Sequence, residues 1–401
     1  MNWQAKRHHW HRLAAAEAEG VAPNVVRFHV PEGFRPKVGN TLTIRDIIRD
    51  QVGWFIFESR DITLNRVQMH YMHGLGIVSQ YTRNITMDKV KCMPREGSGR
   101  LLVASADMMH FSGCSGKVKI IGCYFAGAQD DPINVHGTNL RAVEKINTRT
   151  LNLRFMHGQS YGYNAYFEGD TVAFVKASTM ERFASAQVVA VKRLTDRIVQ
   201  VTFNRDIPGE LELNHDCVEN ISCTPEVEIR HCYFTRTSTL MTTPRKVVIA
   251  DNTYYKTGMS AILIEGDAEG WYESGPVNDV LIQNNIFIGC AYSGGPENAV
   301  IALHPSDMVV DAERPVHRNV RIIGNTFRTF GNPVLYAKST KDLIFKENHV
   351  ECTSSDDFRQ KPLFILNGCK GVVIRENKLE EVCDKKMEFR QMKKKYIKVD
   401  F

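Results

Sequence analysis

Apolar and polar residues follow one nine-residue pattern in nine separate parts of the chain. The second, fourth and ninth places of the pattern are apolar, and the seventh place is commonly Asn or Cys. Alternation over the first four places is the periodicity of a β-strand, and the wider gap before the seventh place indicates a tight bend. Each copy therefore predicts a strand, a corner and a second strand. The copies begin at Asp61, Asn84, Lys117, Glu226, Lys246, Asp279, Asn319, Asp342 and Gly371.

The spacing of the copies indicates that they stack as the coils of a solenoid. Ile62 and Ile85 hold equivalent places 23 residues apart, and Val227 and Val247 hold them 20 residues apart. A period in the twenties made of short strands is typical of a parallel β-helix, predicted here over 46–138 and 221–383. Short apolar runs supply the third strand of several coils, at 77–78, 261–264, 299–303, 334–336 and 363–366. Stacked asparagines at the seventh place predict a hydrogen-bonded ladder, formed by Asn252, Asn285, Asn325, Asn348 and Asn377.

One interval breaks the period, because Val118 and Val227 are 109 residues apart. Residues 139–220 contain short alternating strands and turn residues without the repeated pattern, which predicts an inserted antiparallel β-barrel or sandwich. Residues 1–45 end in a similar pattern but are too few to close a barrel, and we interpret them as the remnant of a β-barrel. Residues 384–401, which include three consecutive lysines, are predicted to form a basic, solvated tail. The expected fold class is all-β.

The composition limits the function without identifying it. With 51 Lys and Arg, 45 Asp and Glu and 43% apolar residues, the chain resembles an ordinary globular protein. No cluster of basic and aromatic residues precedes the tail and no run of about 18 apolar residues occurs, so neither nucleic-acid binding nor a membrane span is predicted. The ten cysteines lack the spacing of a zinc site and are expected to be buried. The first 20 residues lack a secretion signal, because Glu17 interrupts their only apolar stretch.

Three aspartates are predicted to meet on adjacent coils. Asp107 precedes Asp130 by 23 residues and Asp131 by 24 residues, which is one coil, and neighbouring coils are about 4.8 Å apart. Like charges this close raise the pKa of one member and leave a proton donor beside a proton acceptor. Inverting glycoside hydrolysis needs such a pair, with the acid and the base about 6.5–9.5 Å apart. We therefore predict that Asp107, Asp130 and Asp131 are catalytic.

Further candidates lie on or beside the same coils. His110 and His136 are predicted to bond a sugar hydroxyl or the aspartates. Residues 265–275 place Asp267, Trp271 and Glu273 in a loop after a strand, where an aromatic face with nearby carboxylates would hold a sugar ring. We predict that these five residues bind substrate. Each also has a purely structural interpretation, as a hydrogen-bonded imidazole or as part of a packed loop with an acidic edge.

Two other interpretations of the aspartates remain open. Aspartate commonly caps turns, although Pro132 and a strand follow the doublet here instead of a glycine turn. Carboxylates can also hold Ca²⁺, as in some β-helix polysaccharide lyases. No basic residue adjoins the doublet in sequence to serve as a lyase base, which argues against a lyase. We expect that the chemistry needs no metal and no organic cofactor.

The chain resembles glycoside hydrolase family 110 in the run from NITMDKVKC through SADMMHFSGC and QDDPINVHGT to ILIEGDAEGWYESG. The resemblance covers about Val25 to Asn377, and the segment with the three aspartates is its most specific part. The family consists of inverting exo-α-1,3-galactosidases that remove terminal galactose from blood-group-B-type and related glycans. The resemblance implies a right-handed parallel β-helix with β-barrel additions, no cofactor, and catalysis by Asp107, Asp130 and Asp131.

A looser analogy with the polygalacturonases, which are inverting β-helix enzymes, makes Asp130 the acid and has Asp107 and Asp131 position water. The expected partner is an oligosaccharide or glycan with terminal α-galactose, a homodimer is left open, and the resemblance implies a periplasmic or secreted location. Two other functions stay open: a β-helix polysaccharide lyase or endo-glycanase, and a carbohydrate-binding β-helix without turnover. The three mutually repelling carboxylates favour turnover, because a binding groove does not need them.

Overall fold

The computed structural model describes residues 16–30, 32–33, 37–39, 41, 49, 51–236, 238–353, 361–382 and 385–401. The chain divides into two compact units, residues 1–47 and residues 48–401. In the first unit, strands Glu17–Ala22 and Val25–His29 pair as an antiparallel hairpin. Most of the rest of the segment that we interpreted as a barrel remnant, residues 1–45, lies outside the described residues.

The second unit contains a parallel β-helix whose coils contribute strands to three sheets. The first sheet has ten strands: Arg60–Asn65, Arg83–Asp88, Ser115–Ile121, Glu226–Arg230, Val247–Ala250, Asn278–Gln283, His317–Ile323, Thr340–Lys346, Lys370–Arg375 and Ile397–Val399. The second sheet has nine: Gln68–Met69, Lys91–Cys92, Tyr124–Ala126, Tyr233–Thr235, Thr253–Tyr255, Ile286–Ile288, Thr326–Thr329, His349–Cys352 and Lys378–Glu380. The third sheet is formed by Val52–Phe57, Leu75–Gln80, Met109–Ser112, Ile133–Asn147, Thr239–Met241, Ile262–Ile264, Ile301–Leu303, Leu335–Lys338, Phe364–Asn367 and Met387–Arg390. Two single turns of 3-10 helix lie at Pro296–Asn298 and Lys394–Tyr396.

The repeated sequence pattern predicts the register of these sheets correctly. Val118 pairs with Ile85 on one side and with Val227 on the other, so equivalent places stack directly even across the 109-residue interval. The second and fourth places point inward, and Val118 and Ile120 are fully buried. The prediction of a strand, a corner and a second strand is therefore confirmed.

The predicted asparagine ladder is present at the corners between the first and second sheets. Asn285 Nδ2 donates to Asn325 Oδ1 at 3.0 Å, and the Asn285 backbone N–H donates to the same oxygen at 2.8 Å. The same two bonds connect Asn252 with Asn285, Asn325 with Asn348 and Asn348 with Asn377. Behind the corners, ninth-place rings stack inside the core with centroids 4.5 to 5.1 Å apart, in a column of Phe125, Phe234, Tyr254, Phe287 and Phe327.

The inserted antiparallel barrel is also confirmed. Its six strands are Ile133–Asn147, Thr150–Arg154, Ile198–Phe203, Glu181–Arg193, Thr171–Lys176 and Cys217–Asn220, in that order around the barrel. The barrel closes because Ile133–Asn147 pairs with both Thr150–Arg154 and Cys217–Asn220. The beginning of Ile133–Asn147 instead pairs in parallel with Thr239–Met241 of the third sheet. One continuous strand therefore belongs to both the β-helix and the barrel.

The end of the chain differs from the prediction. The described part of the predicted tail 384–401, residues 385–401, is not a separate solvated segment. Met387–Arg390 pairs with Phe364–Asn367, and Ile397–Val399 pairs with Lys370–Arg375. The apolar side chains of Met387, Phe389 and Ile397 pack against the β-helix core, and burying them favours a further coil. The three consecutive lysines at 393–395 are exposed, so the prediction holds for these side chains and fails for the backbone that carries them.

Two expectations from the composition, on the cysteines and on membrane spans, can also be compared with the structure. Eight of the nine cysteines within the described ranges are buried, as predicted for small apolar residues. No helix in the described part of the chain is long and apolar enough to cross a membrane.

The ladder gives a stability prediction. Asn325→Ala should lower the free energy of unfolding by about 2–4 kcal/mol, because it removes the oxygen that accepts both the backbone N–H and the Nδ2 of buried Asn285, and the Nδ2 that donates to Asn348. Asn278→Ala is the matched control, since Asn278 is exposed and bonds only the exposed side chain of Asn319; its effect should stay within about 0.5 kcal/mol. Urea unfolding of both variants measures the difference. Equal stability of the two variants would show that the ladder does not stabilise the stack.

Candidate active site

A pocket lies on the outer face of the third sheet, beside the barrel. The inward-facing residues of two adjacent strands are fully buried, namely Met109, Phe111, Ile133 and Val135. Because side chains alternate along a strand, the residues between them point outward. His110 and Asn134 are paired in register and form the floor of a cavity of about 490 Å³. This volume suits a small ligand, and the barrel contributes Gln159, Ser160, Tyr161 and Tyr163 to its lining.

The three aspartates meet in this pocket. Asp107 comes two residues before strand Met109–Ser112, and Asp130 and Asp131 come just before strand Ile133–Asn147. The Met108 backbone N–H donates to the Asp131 carbonyl at 2.9 Å, which holds the two coils together at this point. One carboxylate oxygen from each aspartate lies within 4.8 Å of the other two. The predicted meeting is confirmed, although the oxygens are closer than the about 6.5–9.5 Å expected between the acid and the base of an inverting pair.

Two of the aspartates have a cationic neighbour. His110 Nδ1 lies 2.7 Å from Asp107 Oδ2, and Arg49 Nη2 lies 3.0 Å from Asp130 Oδ2. Burial alone would raise the pKa of Asp107, but the hydrogen bond and charge of His110 outweigh burial and hold that pKa below its usual value. Burial and the charges of Asp107 and Asp130 raise the pKa of Asp131 well above its usual value. The cluster thus combines a carboxyl group of lowered pKa with one of raised pKa, and the catalytic roles of its members stay a prediction.

The two predicted histidines contact each other. His110 Nε2 lies 2.9 Å from His136 Nε2, and His136 Nδ1 lies 2.6 Å from the Gly137 carbonyl oxygen. His110 thus contacts Asp107 directly, whereas His136 reaches the aspartate only through His110. Burial lowers the pKa of His136. Burial opposes protonation of His110 as well, but the contact with Asp107 and the charge of Glu273 raise the pKa of His110 above its usual value.

Two glutamates add negative charge on another side of the floor. Glu273 belongs to the short strand Glu273–Ser274, which pairs with residues 137–138. Asn134 Nδ2 lies 3.3 Å from Glu273 Oε2 and 3.5 Å from Asp107 Oδ2, so one amide group connects the two carboxylates. Burial and the charges of Glu273 and Asp267 raise the pKa of Glu265 to about 7. Glu265 is therefore partly protonated near neutral pH and can donate as well as accept a hydrogen bond.

The loop after strand Ile262–Ile264 supplies the aromatic face. Asp267 Oδ1 accepts the backbone N–H groups of Glu269 at 2.7 Å and Gly270 at 2.8 Å, and its Oδ2 accepts those of Trp271 and Tyr272. Asp267 therefore shapes this loop, and a direct contact with substrate stays a prediction. The Trp271 ring is 45% exposed, lies 4.0 Å from the His157 ring of the barrel, and has the Arg49 guanidinium 5.2 Å from its centre.

Two groups of side chains in the described ranges come close enough to consider a metal ion, the three aspartates and the set of His110, His136 and Glu273. The first group already has Arg49 as a cation partner of Asp130. In the second, the histidine nitrogens are 2.9 Å apart, whereas two nitrogen ligands of a tetrahedral zinc would be about 3.3 Å apart. These distances fit hydrogen bonding better than metal coordination.

Sequence reasoning did not identify Arg49, Asn134, His157 or Glu265 as site residues. Asn134 could have been identified from the sequence, because it lies one coil from His110 in the predicted stack. Glu265 begins the loop that was singled out, but its burial is a property of the fold. Arg49 and His157 lie outside the repeated pattern, which gives no position for them. The structure also corrects one premise, since a basic residue does adjoin the doublet in space, although none adjoins it in sequence.

Comparison with known proteins recognises the inserted barrel as a domain of its own. Residues 150–218 match the family model described as GLAA-B beta-barrel domain II. Over 395 residues the chain is 68% identical to Alpha-1,3-galactosidase A of Bacteroides fragilis, an alignment that covers 97% of this chain and 65% of that protein. The chain is thus similar to an α-1,3-galactosidase over nearly all of its length. The resemblance to glycoside hydrolase family 110 is thereby confirmed.

More distant α-1,3-galactosidases also match the chain. Alpha-1,3-galactosidase B of Bacteroides thetaiotaomicron is 36% identical over 395 residues, covering 96% of this chain and 64% of that protein. The chain thus spans just under two thirds of the length of these α-1,3-galactosidases. Among solved structures, the surface protein and adhesin PfbA of Streptococcus pneumoniae matches 80% of this chain and 69% of its own, with 14% identity and a TM-score of 0.37.

The barrel should be needed for selection of substrate more than for folding of the β-helix. Replacing 142–215 with a short Gly/Ser linker keeps the pairing of Leu140 with Val218 and should leave a cooperative unfolding transition, because coils contact mainly their neighbours. The barrel wall of the pocket is lost, so KM for a galactoside should rise and selection for chain ends should weaken. A matched variant replaces only Gln159, Ser160 and Tyr161 with Gly-Ser-Gly, and should raise KM with little effect on unfolding.

Thermal unfolding and steady-state kinetics on both variants test this prediction. Loss of all cooperative unfolding in the linker variant would show that the β-helix cannot fold without the barrel. Unchanged KM in both variants would mean that the pocket is built elsewhere, above all from the Gly266–Gly275 loop.

Proposed function

We propose that this chain forms the catalytic β-helix of an enzyme that hydrolyses terminal α-1,3-linked galactose from blood-group-B-type or linear α-galactosyl glycans. The observation that carries this proposal is the cluster of Asp107, Asp130 and Asp131 in a pocket, with one pKa lowered and one raised. The chain that holds this cluster is 68% identical to an α-1,3-galactosidase over 395 residues. The partner is thus an oligosaccharide or glycan, and the chemistry needs no cofactor, because carboxyl groups can both donate the proton and activate water.

The pocket walls support exo action. An enzyme that removes a terminal sugar needs a groove that is blocked beyond that sugar. The barrel residues Gln159, Ser160 and Tyr161 line one side of the cavity, and the loop that carries Trp271 lines another. The exposed Trp271 ring offers an apolar face for the sugar ring, and Glu265 and Glu273 offer polar groups for its hydroxyls. Direct substrate binding by Trp271 and Glu273 is part of this proposal. His110, His136 and Asp267, whose polar atoms bond neighbouring groups, would support the pocket from behind.

The acid is one member of the doublet. Analogy with polygalacturonases assigns the acid to Asp130, whose side chain is the more exposed, at 37%, against 5% for Asp107. The raised pKa assigns it to Asp131 in the free protein. Three carboxyl groups this close titrate together, so the proton belongs to the cluster and can be delivered by the member that faces the leaving oxygen. Asp107, whose pKa is lowered, acts with the remaining member as the acceptor that activates water.

A polysaccharide lyase is the second candidate, favoured by the one observation that Arg49 adjoins Asp130. A lyase needs a base to remove a proton from a uronate, and it yields an unsaturated product. Addition of polygalacturonate or another uronate polymer with Ca²⁺ should give no rise in absorbance from an unsaturated uronide. Such a rise, abolished by a chelator, would replace the galactosidase proposal.

The products of the reaction test inversion. Incubation with a branched B-type trisaccharide and a linear α-1,3-galactobiose, followed by proton NMR from the first minutes, should show β-galactose before mutarotation produces α-galactose. The family resemblance supports inversion, whereas the short oxygen–oxygen spacing of the aspartates is nearer to that of retaining enzymes. α-Galactose as the initial product would establish retention, and no galactose from any α-galactoside would contradict the whole proposal.

Substitution of the aspartates tests their roles. Asp107→Asn, Asp130→Asn and Asp131→Asn should each lower kcat by at least about 10²-fold on a natural disaccharide, the lower range for loss of a general acid or base. The fold should persist, because Asn keeps the size of Asp and removes repulsion. Asp206→Asn is the matched control, since this aspartate is 67% exposed, pairs with exposed Arg149 and does not line the pocket.

A 4-nitrophenyl α-galactoside distinguishes the acid from the acceptors. Its leaving group needs little protonation, so the variant that lacks the acid should recover most of its kcat on this substrate, and the other two should not. Near-normal turnover of the disaccharide by one of these variants would show that the substituted aspartate has no role in the mechanism.

A further inference from the structure

We propose that His110 is held permanently as an imidazolium cation between Asp107 and His136, and that it is the positioning residue that keeps Asp107 ionised and correctly oriented. The charge state follows from the hydrogen bonds together with the greater acidity of a carboxyl group than of an imidazolium. The consequence for hydrolysis rests on the proposed function.

The first step concerns the proton on His136 Nδ1. This nitrogen lies 2.6 Å from the Gly137 carbonyl oxygen, which can only accept a hydrogen bond. A nitrogen without a proton at that distance would place two lone pairs against each other. His136 Nδ1 therefore carries a proton and donates it to Gly137.

The second step concerns the contact between the two rings. The Nε2 atoms are 2.9 Å apart, so one proton lies between them. At the other end of the pair, His110 Nδ1 lies 2.7 Å from Asp107 Oδ2, so one proton lies between these atoms as well. That proton belongs to the nitrogen, because a carboxyl group is a stronger acid than an imidazolium. Both outer nitrogens thus carry protons, and the shared inner proton is a third. Two neutral imidazoles hold only two such protons, so the pair carries one positive charge.

The charge belongs to His110 because of what surrounds each ring. His110 has the Asp107 carboxylate in direct contact, whereas His136 faces a neutral carbonyl and is 3.6 Å from Glu273 Oε1, too far for a hydrogen bond. The reverse placement would put the cation on the ring that lacks a carboxylate contact. The charged and titratable groups around His110 are Asp107 on its own coil, His136 on the next strand, Glu273 on the antiparallel strand beside it, and Arg49.

This cation determines where the proton of the aspartate cluster lies. His110 stabilises the charge of Asp107, and Arg49 stabilises the charge of Asp130. Within the described residues, no ion pair reaches Asp131. Of three carboxyl groups within 4.8 Å, Asp131 is therefore the one that accepts the proton. His110 itself neither gains nor loses a proton during turnover.

Nuclear magnetic resonance on the unmodified protein tests the charge state without any need for turnover. In protein labelled with ¹⁵N at histidine, one ring should keep two protonated nitrogens as pH rises from 5 to well above the usual histidine pKa of about 6.5. His110→Gln should remove that signal, and His231→Gln, at an exposed corner far from the pocket, should not. Complete deprotonation of every histidine near pH 6.5 would overturn the proposal.

Kinetics test the positioning role. Gln can still donate a hydrogen bond to Asp107 but carries no charge, so the Asp107 pKa should rise. Since the ionised form of Asp107 is needed, the acid limb of the kcat/KM profile should move to higher pH by about one unit or more, the effect of losing an opposite charge in contact. His231→Gln should leave the profile unchanged.

The two experiments test the charge assignment and the positioning role independently. A purely structural role would lower kcat/KM of His110→Gln at every pH without moving the acid limb, and that result would overturn the positioning role. A persistent imidazolium signal in a protein that hydrolyses no α-galactoside would retain the charge assignment and contradict the proposed function instead.

Discussion

Direct stacking of equivalent residues on neighbouring coils is the constraint on which the rest of this structure depends. Parallel strands pair about 4.8 Å apart, so each place in the repeat meets its own equivalent on the next coil. The asparagine ladder, the aromatic column and the buried aliphatic places all result from this single register. The same register brings Asp107 beside the doublet and His110 beside Asn134, so the pocket is built by the rule that builds the core.

The register also explains how much of the molecule could be predicted from sequence. A residue inside the repeat has a known place, and so the strands, the ladder and the meeting of the three aspartates were all predictable. Arg49 and His157 are different, since they enter the pocket from segments without a repeat, and only the folded chain shows that they reach it. The last coil was missed for a related reason: its lysines suggested a solvated tail, whereas Met387 and Phe389 determine that the backbone packs.

Electrostatic properties were predictable in kind but not in detail. Three carboxylates one coil apart require that one of them resist ionisation. Which one resists depends on cations whose positions the spacing does not give, His110 at Asp107 and Arg49 at Asp130. The role of Asp267 was equally hidden, because its sequence neighbours suggest a sugar ligand and its oxygens instead hold the backbone of its own loop.

Strand Ile133–Asn147 runs without interruption for 15 residues from the floor of the pocket into the barrel wall. A hinge between two bodies requires a few residues that can change their backbone angles. Hydrogen bonds to Thr239–Met241 at residues 133–135 and to Cys217–Asn220 at residues 139–141 restrain this strand on both sides of its passage from the β-helix into the barrel. The floor of the pocket and the barrel that carries one of its walls therefore share one strand, and their relative position is set when the protein folds. Adaptation to a larger or branched sugar would then proceed by changing individual lining side chains, because rotation of the barrel as a lid is not available to this architecture.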